Sequence, residues 1–225
     1  MMNKIHYKTI FAATAVAVLS GCAANKAPSY DYSQYKASNP KSILVLPPVN
    51  QTPDIRASYS MLAQVTHPLA ESGYYVLPVT LVDETLKENG ITEATDAHGL
   101  PTTKLQEIFG ADAALYITVS KYGTVYQVVD SQTTVTAQAK LVDLKTQQVL
   151  WAGSASASTA EQKNQQQGGL AGLLITAIVK QIVGNVTDQS HPMAGVTSQR
   201  LLRAGQPNGL LYGPRSPLYA KEAPQ

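Results

Sequence analysis

The sequence predicts an α/β fold: a mixed sheet with helices packed on it, followed by an apolar C-terminal helix and an extended tail. Two patterns and the composition predict it. Short apolar runs alternate with helix-period segments in the order β-α-β-α-α-β between Ile43 and Gly123, as expected of a layer of helices on a sheet. Two alternating segments then follow, 133–144 and 149–158, joined by Lys145-Thr146-Gln147-Gln148, which reads as a long antiparallel hairpin. With 44% hydrophobic and 14% charged residues, there is material for a core and a surface more polar than ionic.

The chain opens with two lysines, Lys4 and Lys8, and an uncharged run from Thr9 to Leu19. A basic start, roughly 7–15 apolar residues and then small residues make up a secretory signal peptide. The run is short of the ~20 residues that span a bilayer. It ends in Leu19-Ser20-Gly21-Cys22, which resembles the bacterial lipobox, in which diacylglycerol is joined to the cysteine thiol and the chain is cut before it. In that motif an Asp after the cysteine tends to retain the protein at the inner membrane; Ala23 therefore favours the outer membrane. Each buried methylene adds about 0.8 kcal/mol, so two or three acyl chains on Cys22 would hold it lastingly. Cys22 is the only cysteine, so the domain must fold without a disulfide.

The expected organisation is a signal peptide over 1–21, a lipidated tether over 22–40 and an α/β domain over 41–160. A polar linker and apolar helix follow over 161–190, packing on the domain or a partner, and a C-terminal tail covers 191–225. Lys4 and Lys8 account for the formal charge of +2, so the mature chain balances 15 basic against 15 acidic residues. That balance argues against nucleic acid as a partner and against adhesion to anionic lipid through a basic patch.

Within the domain, Ile43–Leu46 is a buried strand stopped by Pro47-Pro48. A helix is expected from Thr52 as N-cap with Pro53 at its first position, its apolar face Ile55, Tyr59, Leu62, Thr66 and Leu69. Pro68 should kink or break it, and Gly73 should end it. A strand at 74–79 follows, then a helix with Thr80 and Asp83 approximating a capping box and Gly90 as its stop. After a loop through Gly99, residues 101–110 form a short helix. In the next strand Leu115, Ile117 and Val119 alternate against Tyr116 and Thr118. The hairpin should bury Val135, Ala137, Ala139 and Leu141, and on its return Val149, Trp151, Gly153 and Ala155, with Trp151 as a core anchor. The apolar helix at 169–186 must be covered by something, and Leu170, Leu173, Leu174, Ile178 and Ile182 are its candidate contacts for a partner or a second copy. Tail residues 203–225, rich in Gly and Pro, read as extended, either pinned along the domain or unstructured.

No reaction is legible. His67, His98 and His191 lie far apart, and neither zinc-ligand spacing, a nucleophile elbow nor a phosphate-binding loop occurs. Asp83, Glu84 and Glu88 read as a solvated helix face, and the Ser-rich stretch 153–159 as the polar side of a strand. No catalytic residue, metal or cofactor is expected.

The segments 42–90 and 100–119, with the late Gly209-Leu210-Leu211-Tyr212-Gly213-Pro214-Arg215-Ser216-Pro217, resemble a family of bacterial outer-membrane lipoproteins of unsettled function, some of them surface vaccine antigens. The resemblance runs from about Lys41 to Leu218. It implies a fold similar to the N-terminal domain of TolB, also seen in curli-secretion-channel-like lipoproteins and in lipoprotein activators of peptidoglycan synthases. The 140–153 hairpin is similar to the Asp-x-x-Thr…Trp hairpin of those relatives, except that Gln147 stands where a glycine commonly follows the threonine. The resemblance also implies a shared envelope complex with a curli-channel-like lipoprotein. The expectation is thus a non-enzymatic accessory lipoprotein, attached to the outer membrane through acyl chains on Cys22, facing the periplasm, with another envelope lipoprotein or itself as partner.

Overall fold

A computed structural model describes residues 30–126, 131–161 and 188–219. In chain order its elements are α1 (Ser33–Ser38), β1 (Ser42–Val45), β2 (Val49–Asn50), α2 (Ala57–Glu71), β3 (Tyr75–Val76), α3 (Val79–Glu88), α4 (Ala94–Gly99), α5 (Thr102–Phe109), β4 (Ala113–Tyr126), β5 (Ser131–Asp143), β6 (Val149–Ser158) and α6 (Ser190–Leu202). The sheet order is β3-β1-β4-β5-β6, with β2 also on β4. β1 runs parallel to β3 and β4, and β4-β5-β6 is antiparallel, so the mixed α/β fold is as the sequence predicts.

Alternation along the strands builds two cores. Leu44 and Leu46 of the first strand segment, with Ala114, Tyr116 and Val142, meet Val82, Leu86, Ala97 and Leu105 from α3, α4 and α5. The alternate residues of the same strands, among them Leu115, Ile117 and Val119 with Val135, Ala137 and Leu141, are buried on the other face. α2 and α6 pack there: the Thr197 hydroxyl donates to the Val135 carbonyl at 3.2 Å, and Ser198 lies against the Met61 sulfur. Because α3–α5 cover only the β1 side, Gln138 and Lys140 of β5 and Ser154 and Ser156 of β6 remain exposed. β4 therefore buries both faces at its start and reads as a continuous apolar run there. The register of β4 on β5 shifts between Val119 and Lys121, and beyond Gly123 and Thr134, where the pairing of β5 with β6 ends, residues 124–126 and 131–133 continue as a two-stranded arm.

Several local expectations are corrected. The second helix begins at Ala57, not at Thr52; Asn50 accepts from the Thr52 N–H and Asp54 from the Arg56 N–H, holding 50–56 as a turn. Its buried stripe is Ala57, Ser60, Met61, Leu62, Val65, Pro68 and Leu69, whereas Ile55 is 87% and Tyr59 54% exposed. The small Ala57 and Ser60 take the face because α6 packs close. The helix also continues through Pro68 to Glu71, since only the last turn loses a donor. α3 has no side-chain cap, and residues 94–99, expected as loop, form α4. Val149 faces out, because the register shifts between Leu141 and Val142.

The larger corrections are at the ends of the chain. Residues 33–38, expected within the tether, form α1, whose Tyr35 is buried. Its hydroxyl meets that of Tyr74 at 2.7 Å, and Tyr74 in turn donates to the Leu211 carbonyl. Burial raises both phenol pKa values. Residues 190–202, expected as tail, form α6. The segment after it is pinned: Tyr32 donates to the Gly209 carbonyl, Trp151 Nε1 to the Asn208 carbonyl, and Tyr219 to Asn39. Trp151 is buried, as expected of a core anchor.

Candidate functional site

The sequence-predicted site residues Cys22, Leu170, Leu173, Leu174, Ile178 and Ile182 all lie outside the described residues. The structure does show what encloses them in the chain. The segment 162–187 leaves after Glu161 and returns at Asp188. Glu161 accepts from the Ser158 N–H and pairs with Arg200 at 2.8 Å; Asp188 pairs with Arg56 and caps the Ser190 N–H. The hydrogen bond from the Ser190 N–H and the Arg56 charge hold the Asp188 carboxyl below its ordinary range. Both attachment points lie beside the base of the β4–β5 arm, since Thr159 exchanges hydrogen bonds with Thr133, and Tyr122 sits beside Ser60.

The arm is thus one of two ends of the sheet where apolar side chains are exposed. There Val125 is 64% and Tyr126 84% exposed, with Ile55 beside Arg56. At the opposite end, where β1, β3 and β4 begin and β5 turns into β6, Tyr75, Val149, Leu218 and Tyr219 are exposed.

One polar constellation on the α2–α6 interface has the residue types of a hydrolase, and sequence reading missed it because its members are 131 and 127 positions apart. Ser60 Oγ lies 2.8 Å from His191 Nδ1, and Gln64 Nε2 lies 2.8 Å from His191 Nε2. The proton placement is the reverse of an activated serine. The Gln64 amide donates to Nε2, so the neutral ring carries its proton on Nδ1 and donates to Ser60. The third member is an amide, which cannot stabilise an imidazolium as a carboxylate does, and Ser60 is buried. The set clamps two helices. His67 does the same further along, meeting Gln199 at 2.9 Å.

His98 is separate from both. Its Nε2–H donates to the Pro47 carbonyl at 3.0 Å, and its ring stands edge-on to Tyr116. Burial, aided by Lys140, lowers its pKa despite that carbonyl. Asp83 pairs with Lys87 at 2.6 Å, four residues on, with its carboxylate mostly covered, whereas Glu84 and Glu88 are exposed. Ser156 and Thr136 hydroxyls meet across the exposed sheet face at 2.9 Å. Among the described residues no three His, Cys, Asp or Glu side chains converge as metal ligands.

Comparison with known proteins gives a consistent answer. A family model described as "Putative lipoprotein GNA1162-like" matches residues 30–215. The chain is 45% identical over 216 residues to "Putative lipoprotein NMB1124/NMB1162" of Neisseria meningitidis serogroup B, covering 96% of this chain and 98% of that one. The crystal structure of lipoprotein GNA1162 from Neisseria meningitidis is similar at 49% identity and TM-score 0.53, over 65% of this chain and 100% of the other. The PelC dodecamer from Paraburkholderia phytofirmans, at 12% identity, aligns over 78% of this chain and 91% of its own with TM-score 0.42. The family match runs from before α1 to the pinned segment after α6, and on that footing the chain belongs to the GNA1162-like lipoprotein family.

Proposed function

We propose that the protein is a non-enzymatic outer-membrane lipoprotein, held by acyl chains on Cys22 and facing the periplasm, which serves as an accessory component of an envelope assembly for secretion or transport. The observation that carries this reading is membership of a lipoprotein family by a chain whose lone cysteine closes Leu19-Ser20-Gly21-Cys22. The inverted proton placement at Ser60 and His191 supports work by contact over work by catalysis. Leu170, Leu173, Leu174, Ile178 and Ile182 are the proposed contact residues; the residues that bound their segment, Glu161 and Asp188, are held by ion pairs with Arg200 and Arg56.

The test is affinity capture of the native protein from detergent-solubilised envelopes. A specific second protein should be recovered and should be lost with Leu174→Asp and Ile178→Asp, while the yield of the lipoprotein itself stays constant. Recovery that survives both substitutions would remove that segment as the contact. Capture of only further copies of the same chain would mean self-association in place of a scaffold role.

A further inference from the structure

The position of α1 leaves little chain between the fold and the expected lipid. Only residues 23–30 separate Cys22 from Asp31, where the compact unit that holds the sheet begins. At 3.3–3.6 Å per residue they reach at most about 30 Å, and as a flexible coil would average nearer 17 Å. That unit is entered at one end of the sheet: Ser38 donates to Asp143 at the end of β5, and Lys41 and Ser42 bond Asp112 just before β4.

That end has the composition of a surface suited to the head-group layer. Tyr75, Leu218, Tyr219 and Val149 are exposed there, and Lys41, Lys145 and Arg215 stand among them. The aromatic side chains cluster on residues 39–41: Tyr75 N–H and Arg215 both donate to the Lys41 carbonyl, and Tyr219 donates to Asn39. Arg215 also lies over the Tyr75 ring, 5.6 Å from its centre. Two carboxylates there, Asp112 and Asp143, are tied up by neighbouring donors, while Asp31 and Glu71 are exposed. Asp112 accepts from Lys41 and Ser42, and Asp143 from Ser38, Lys145 and Thr146. Amphipathic rings beside cationic side chains suit the boundary between acyl chains and head groups. The arm is at the other end: the 14 residues of β4, at ~3.3 Å each, set its tip about 45 Å away.

We infer that the end of the sheet formed by residues 39–41, Tyr75, Val149 and Leu218–Tyr219 rests on the phospholipid head groups of the membrane that holds Cys22, with the β4–β5 arm directed away from it. The inference rests on the acylation of Cys22 proposed above. It turns Glu161 and Asp188, which bound the 162–187 segment in the chain, toward the side available to soluble or opposite-membrane partners.

Exposed valines at the two ends provide the test. The lipidated sulfur of Cys22 is blocked, so Val149→Cys or Val125→Cys supplies the single thiol of the native protein for an environment-sensitive fluorophore. Each labelled protein is reconstituted into phosphatidylethanolamine–phosphatidylglycerol vesicles containing a head-group spin-labelled lipid. The probe at 149 should lose roughly half its emission, as expected for a group at the interface, and the probe at 125 almost none. In a third protein, with the probe at Lys145→Cys, Tyr75→Ser with Tyr219→Ser should relieve the quenching while flotation is retained. Equal quenching at 149 and 125, quenching greater at 125, or vesicle-bound protein with neither probe quenched would each overturn the orientation. Failure to float with vesicles at all would instead overturn the acylation of Cys22.

Discussion

At the scale of single residues, the β5–β6 turn and the tryptophan beyond it make the firmest predictions. Gln147 has φ of 63°, in the left-handed region where a side chain is strained. That is a backbone conformation a glycine adopts without a Cβ penalty. Gln147→Gly should stabilise the domain by about 0.5–1 kcal/mol, read as a higher urea midpoint at unchanged slope. Gly153 is the opposite case: a Cβ there would overlap the Trp151 ring. Gly153→Ala should cost about 1–3 kcal/mol, with a shifted Trp151 emission, this being the only tryptophan. His98 supplies a pH dependence. Burial holds its folded pKa below 6.5, so the stability it contributes is complete above that value and falls as pH drops through 6.5 toward the folded pKa. The urea midpoint of the wild type should fall between pH 7.5 and 5.5 by more than that of His98→Gln, and equal falls would refute the assignment.

At the scale of elements, what was legible tracked the clarity of the periodic signal. β5 was readable because alternation is strict where one face is buried, the start of β4 because it is a continuous apolar run buried on both faces, and α3 because Val82 and Leu86 are spaced for one face. α6 was not readable: its buried residues include Ser190, Ala194, Thr197 and Ser198, small or polar groups that let it approach α2 closely and leave no apolar stripe. The available cue was Asp188, which accepts from the Ser190 N–H just before the helix, with Pro192 in the first turn. α1 is six residues with one buried side chain, so its stability comes from Tyr35 reaching Tyr74 and through it Leu211. Tyr35→Phe removes one hydrogen bond and should cost about 1 kcal/mol, whereas Tyr35→Ala also opens a cavity and should cost about 3–5 kcal/mol. Both are measurable by thermal or urea unfolding. Of the candidate site, only its chemistry as an apolar segment was legible; that its flanks are tied to Arg200 and Arg56 depends on contacts between residues far apart in sequence.

At the scale of the whole molecule, the two ends of the sheet differ in what they carry. Resting one end on lipid would leave the arm and the 162–187 segment to meet other components, which gives a physical basis for the accessory role proposed above. The wet Ser, Thr and Gln face over β5 and β6 lies between those ends and is held by hydroxyl contacts such as Thr136 with Ser156. A soluble Cys22→Ser form should keep the stability of the detergent-solubilised native protein to within about 1 kcal/mol, because the buried hydrophobic residues among those described all lie at Tyr35 and beyond. A large loss of stability would show that the leader-proximal chain is part of the fold.

The Tyr219–Asn39 contact has one more effect. It ties the stretch after α6 to the stretch between α1 and β1, so a short peptide could join the two and new termini could be opened between Tyr126 and Ser131 without cutting either core. Such a rewired protein would present its new termini some 45 Å from that junction, by the length of β4, which makes the connection between Tyr126 and Ser131 the natural place to attach a reporter.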